Sequence, residues 1–152
     1  MEIDATDRRI LTVLQRAARI TNAELSEQVN LSPSACHRRV QRLESAGIIR
    51  AWVALLDARR VGRPTTVFVE IKLAGQSEEV LADFERAVAR VPDVLECHLM
   101  AGSADYLLKI VAEDTEDFAR IQRRYLSRLP GLVQMQSSFA LRPVLSTTAI
   151  PV

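Results

Sequence analysis

Several signatures are missing from this chain of 152 residues, and each absence narrows what it can be. No apolar run approaches the ~18 residues needed to span a bilayer, so no membrane partner is expected. The opening Met1-Glu-Ile-Asp-Ala-Thr-Asp7 is acidic and lacks the basic-then-apolar layout of a secretory signal. Cysteine is scarce: with Cys36 and Cys97 alone, and no export signal, free thiols in the cytoplasm are expected. The pairs Cys36-His37 and Cys97-His98 supply two ligands each, sixty-one residues apart, which is no known metal spacing, so no metal is expected. Glycine patterns of the Walker or dinucleotide type are absent, and neither histidine sits in a nucleophile motif. No enzyme and no cofactor are expected. A strong charge imbalance is missing too. The first fifty residues hold eight arginines against six acids, and the rest hold twelve basic against thirteen acidic residues. Any nucleic-acid partner must therefore be met by a local patch.

What is present is concentrated in Leu31–Gly47. Ser32 is a good helix N-cap, Pro33 suits the first helical position, and Gly47 supplies the left-handed residue that commonly ends a helix. Cys36, Val40 and Leu43 recur at helical spacing as one apolar stripe. The remaining face carries Ser34, His37, Arg38, Gln41 and Arg42, with Arg39 beside them. Hydrogen-bonding groups of moderate length interleaved with guanidinium forks are the equipment for reading base edges and gripping phosphates. On this reading Ser34, His37 and Gln41 read bases, while Arg38, Arg39 and Arg42 supply phosphate contacts, with a guanine contact as a further option for them. Asn22 and Ser32, at the starts of the second and third helices, join them as candidates.

Two earlier helices lead into this one. Asp4 caps the first, with Asp7 in its opening turn and Ile10, Val13, Leu14 and Ala17 at helical spacing. Thr21 and Glu24 form a capping-box pair for the second, which carries Leu25 and Val29 on one face. Asn30 turns the chain into Leu31-Ser32-Pro33. Three helices, the last two joined by three or four residues, have the layout of a helix-turn-helix. Ile48–Leu56 reads as a following strand, as a winged variant has.

Asp57–Pro64 holds turn formers and three arginines and is read as a hinge. Beyond it, alternation predicts a strand over Thr65–Ala74, and Ser77 caps a helix with Leu81, Phe84 and Val88 inward. Strands follow at Leu95–Met100 and Asp105–Ala112. Asp114 or Thr115 caps a second helix carrying Phe118, Ile121 and Tyr125, and Val133–Leu141 closes the series with Val133, Met135, Phe139 and Leu141 on one face. The halves superpose at a shift of 38 residues, Val91-Pro92 onto Leu129-Pro130 and Phe68 onto Tyr106. The expected architecture is α+β: a winged helix-turn-helix over residues 1–50, a strand and hinge over 51–64, and a ferredoxin-like βαββαβ domain over 65–152. One sheet face would be left bare, and a second copy of the chain is the economical cover.

Asp7-Arg-Arg-Ile-Leu11, Asn22-Ala-Glu-Leu-Ser26, Leu31-Ser-Pro-Ser-Ala-Cys36, Glu96-Cys-His-Leu99, Gly102-Ser-Ala-Asp-Tyr-Leu-Leu-Lys109 and Leu129-Pro-Gly131 together resemble the leucine-responsive regulatory protein/AsnC family of transcription regulators. The resemblance implies a winged helix-turn-helix that binds double-stranded DNA. It also implies a RAM-type C-terminal domain that binds small effectors, usually amino acids, and assembles dimers into octamers or other oligomers. The loop Gly102, Ser103, Ala104, Asp105, Tyr106 matches the one that lines the family's effector site, with Ser137 and Ser138 on the last strand as weaker candidates. A zwitterion needs N–H donors for its carboxylate and an acceptor for its ammonium. Gly102 lets the backbone approach closely, and the Asp105 carboxylate is the expected acceptor. Many members carry an acid and a bulky residue where this chain has Ser103 and Ala104. The effector's identity therefore stays open, with an architectural DNA-binding protein without an effector as the alternative.

Overall fold

The computed structural model describes residues 2–152, which separate into two compact units: one runs to Leu55 and also takes in Val144–Val152, the other is Leu56–Pro143. The tail 144–152, assigned from sequence to the second domain, therefore groups with the first. Its Ile150 is tied there by a pair of hydrogen bonds with the Gln15 side-chain amide, at 3.0 and 2.6 Å.

The first unit is built from α1 (Ala5–Leu14), α2 (Asn22–Gln28) and α3 (Pro33–Ser45). Their ends form where side chains satisfy the free backbone groups. Asp4 and Asp7 make a reciprocal capping box on α1, Thr21 and Glu24 make another on α2, and Ser32 caps α3 from its hydroxyl. Asn30, at φ +56°, turns the chain out of α2, and Gly47, at φ +71°, does the same for α3. After each, a residue folds back onto the helix: Leu31 N–H donates to Ser26 O, and Ile48 N–H to Leu43 O, both at 2.9 Å. The core is Ile10, Leu11, Leu14, Leu25, Val29, Cys36 and Leu43. Each of the aliphatic side chains contributes about 1.5–3 kcal/mol on burial, so their packing holds the bundle.

Residues 48–56 form no strand, contrary to expectation. The β-formers are present, but no neighbouring strand among the described residues offers a ladder, and Trp52, Val53, Leu55 and Leu56 stay exposed. Trp52 Nε1 donates to Glu44 Oε1 at 2.7 Å, which holds the segment against the end of α3.

The second unit begins at Leu56, one residue before the expected hinge. Asp57 accepts from the Arg59 N–H at 3.0 Å, and Arg63 reaches Asp117 at 3.0 Å and Asp93 at 3.4 Å. Then come β1 (Thr65–Leu73), α4 (Glu78–Val88), β2 (Val94–Leu99), β3 (Tyr106–Ala112), α5 (Thr115–Arg124), one 3-10 turn (Leu126–Arg128) and β4 (Leu132–Phe139). The antiparallel sheet has the order β2-β3-β1-β4, the ferredoxin-like arrangement. Both helices pack on one face through Phe84, Val88, Phe118 and Ile121, against Val67, Val69, Ile71, Leu108 and Ile110. Within this unit no helix covers the other face, where Phe68, Glu70 and Lys72 lie in register with Ser138, Gln136 and Gln134.

Three details of the sequence reading change. An irregularity after Lys72 pairs Leu73 with Leu132, so Val133 is bulged out and exposed rather than turned inward with Met135. Leu141 lies beyond the strand end and is fully exposed. The superposition of Phe68 on Tyr106 also fails, because Phe68 faces outward while Tyr106 is buried beneath the helices. A one-residue slip moves every side chain to the opposite face.

Candidate nucleic-acid interface and effector loop

Helix α3 presents Ser34, His37, Arg38 and Gln41 at i, i+3, i+4 and i+7, all exposed, opposite the Cys36 and Leu43 that fix it to the core. His37, Arg38 and Gln41 make no hydrogen bond or ion pair among the described residues. Three polar side chains on one stripe, without intramolecular partners, are available to an external one.

The other two arginines are not. Arg39 Nη1 lies 2.6 Å from Asp4 and 2.8 Å from Asp7, and Arg42 Nη2 lies 2.6 Å from the second oxygen of Asp7. The Asp7 side chain is fully buried, whereas Arg42 is half exposed. The Asp7 N–H and the Arg39 guanidinium hold the Asp4 carboxyl down to about 2. The hydrogen bonds to Asp4 and Asp7 push Arg39 up. Of the three arginines expected at phosphates, this structure pairs Arg39 and Arg42 with α1 and leaves Arg38 alone. The remaining candidates hold the turn. Asn22 Nδ2 donates to Pro33 O at 2.8 Å, and Ser32 Oγ accepts from Ala35 N–H at 3.3 Å.

The loop between β2 and β3 departs further from expectation. Asp105 is buried, with its carboxylate already engaged: Oδ2 accepts from Leu73 N–H at 2.8 Å, Oδ1 from Gln76 Nε2 at 2.7 Å, and Lys72 Nζ stands 3.5 Å away. The Leu73 N–H, with the Gln76 amide after it, holds its pKa below the ordinary carboxylate value. The carboxylate is thus engaged as an anchor between β1 and the loop. Tyr106 is buried as well, its ring 4.5 Å from that of Phe84 and its hydroxyl donating to Glu85 at 2.7 Å. Ser137 lies in register with Val69 on the helix side of the sheet, and Ser138 with Phe68 on the outer side.

What the loop does line is a shallow hollow of about 170 Å³ made by Ser103 and Ala104 with Glu70, Ile71, Lys72, Gln134 and Gln136. Lys72 Nζ donates to Ser103 O at 3.1 Å and fixes the loop over the sheet. Glu70, Lys72, Gln134 and Gln136 were missed from sequence; their outward alternation on β1 and β4 was the available signal. A larger open groove of about 400 Å³ lies between α4 and β2, with Glu85, Cys97 and Tyr106 in its wall. Burial pushes the Cys97 thiol up to about 11. Cys36-His37 and Cys97-His98 belong to different units, and no cluster of three or more metal-ligating side chains occurs among the described residues.

Residues 3–50 match the model for winged helix-turn-helix DNA-binding domains, and residues 66–150 match that for the Lrp/AsnC ligand binding domain. This chain belongs to the Lrp/AsnC family. It is 41% identical over 131 residues to the leucine-responsive regulatory protein of Escherichia coli K12, covering 86% of this chain and 80% of that one. Among solved structures it resembles a transcriptional regulator from Neisseria meningitidis, described as an L-Met complex, at 39% identity and a TM-score of 0.93 over 99% of this chain and 97% of that one. Escherichia coli AsnC, at 22% identity and a TM-score of 0.90 over 97% and 98%, shares the fold. The Lrp/AsnC chain described here is accordingly a transcription regulator with a DNA-binding unit and a ligand-binding unit, and its family is not enzymatic. No helix of the described residues is long and apolar enough to cross a membrane.

Proposed function

We propose that this regulator reads specific duplex DNA through Ser34, His37, Arg38 and Gln41, and that a free amino acid at the Ser103–Ala104 hollow modulates its DNA affinity. The observation that carries the DNA half is the exposed stripe on α3, where His37, Arg38 and Gln41 have no partner among the described residues. A single short helix meets few base pairs, so two copies would place two such helices on half-sites ~34 Å apart or a multiple of that. Homodimers, assembling further into octamers, fit the exposed Trp52, Leu55, Leu56, Leu141 and Leu145 and the uncovered sheet face.

The effector half is supported by the L-Met complex of the Neisseria regulator and by the chemistry of the hollow. Ser103 and Ala104 N–H donate to no carbonyl among the described residues, which leaves both to a carboxylate. Glu70, exposed and without an ion pair among the described residues, takes over from Asp105 as the acceptor for an ammonium. At about 170 Å³ the hollow is smaller than the ~300–1,000 Å³ of sites that enclose a small molecule. A second copy closing over it would complete the wall.

The test is a thermal shift across the twenty amino acids, followed by anisotropy titration of DNA from upstream of the chain's own gene. One amino acid raises the melting temperature and shifts DNA affinity by ~5–150-fold, the range of a 1–3 kcal/mol coupling. Tight DNA binding with no response to any of the twenty would instead identify an architectural protein without an effector.

A further inference from the structure

We infer that Asp7 is a specificity-determining positioning residue: an internal stand-in for a DNA phosphate that keeps Arg39 and Arg42 from gripping the backbone without regard to sequence. This inference rests on the α3 reading above. Three observations lead to it. The Asp7 side chain is fully buried yet accepts from two arginines of α3 through its two separate oxygens, at 2.8 and 2.6 Å. Asp4, the cap of the same helix, takes Arg39 as well, at 2.6 Å. Two carboxylates and two guanidinium groups cancel, so of the three arginines between positions 38 and 42 only Arg38 retains an uncompensated charge.

The chemistry of the pairing explains why it persists beside DNA. A carboxylate and a phosphate offer the same paired oxygens to a guanidinium. For Arg42 to turn to a phosphate, Asp7 would have to remain buried with one partner fewer, which is strongly unfavourable. Arginines held this way add little to sequence-independent affinity, which grows with each phosphate neutralised. Discrimination is then left to the side chains that face base edges. Arg42 reaches solvent by about half its surface, so its sequestration comes from Asp7 and not from burial of its own head group.

The experiment is the salt dependence of binding by the full-length chain to a short duplex of random sequence, followed by fluorescence anisotropy. Arg38→Gln lowers the slope of log K against log salt by ~0.9 per protomer, as the loss of one phosphate contact requires. Arg42→Gln leaves the slope where it is in the unmodified chain. Asp7→Asn, checked for folding by circular dichroism, steepens it by ~0.9 for each arginine released and tightens binding to the random duplex. A slope lowered by Arg42→Gln as much as by Arg38→Gln overturns the inference alone, and so does a folded Asp7→Asn with unchanged slope. An unchanged slope for Arg38→Gln overturns the α3 reading and the inference with it. Where Asp7→Asn does not fold, Arg42→Gln decides.

Discussion

Leu73 N–H donates to Asp105 Oδ2 at 2.8 Å, joining the end of β1 to the start of β3 across thirty-two residues. Asp105→Ala leaves that buried donor without an acceptor, at a cost of about 1–3 kcal/mol. The melting temperature of the ligand-binding unit falls by roughly 4–8 °C per kcal/mol for a unit of this size. The effector response is lost along with loop order. A variant that melts unchanged and still fails to respond would return Asp105 to the role of direct ligand.

Glu70→Gln separates the two acceptors. It removes the charge proposed for the ammonium while leaving the Asp105 anchor intact. The melting temperature without ligand stays within about 0.5 kcal/mol equivalent, as for a surface substitution. The amino-acid shift shrinks or disappears in the same thermal assay; a full shift would exclude Glu70.

Acid sensitivity should appear in the DNA-binding unit. The folded Asp4 carboxyl titrates at about 2, below its ordinary 3.8, because the Asp7 N–H and Arg39 favour its charged form. A depressed acid stabilises the fold above the unfolded value and loses that contribution as pH falls through the folded one. Stability therefore declines between about pH 4 and 2. Asp4→Asn, which still caps a helix, shows a shallower decline in circular dichroism over that window.

Both thiols should be sluggish. Burial raises Cys36, and burial with the nearby Glu85 charge takes Cys97 to about 11. Thiolate is the reacting form, so iodoacetamide at pH 8 modifies the native chain far more slowly than the chain in guanidinium. Equal rates would reopen a redox role for either cysteine.

Local chemistry made much of this molecule legible in advance. Asp4, Thr21, Ser32, Ser77 and Asp114 all cap the helices their residue types announce. Strict alternation in β1 gave its inner face, because a period of two is written in consecutive residues. What stayed hidden depends on partners far away in sequence. Nothing around Arg42 reveals that Asp7, thirty-five residues earlier, takes its charge. Nothing around Asp105 shows that it turns in toward Leu73 rather than out to solvent. The β-rich 48–56 segment shows the complementary failure, since propensity proposes a strand but only a neighbouring strand can pair it. The hollow's floor, Glu70 with Gln134 and Gln136, comes from two strands that only the sheet register brings together.

The central claim is that the exposed stripe of α3 reads sequence. The most direct measurement is the ratio of affinities for the cognate upstream fragment and a scrambled fragment of equal length, at one salt concentration, for Ser34→Ala, His37→Ala and Gln41→Ala. The account predicts that at least one of the three lowers that ratio by the equivalent of ~1–3 kcal/mol, the worth of a good base contact, with affinity for scrambled DNA nearly unchanged. A ratio unaltered in all three would contradict it.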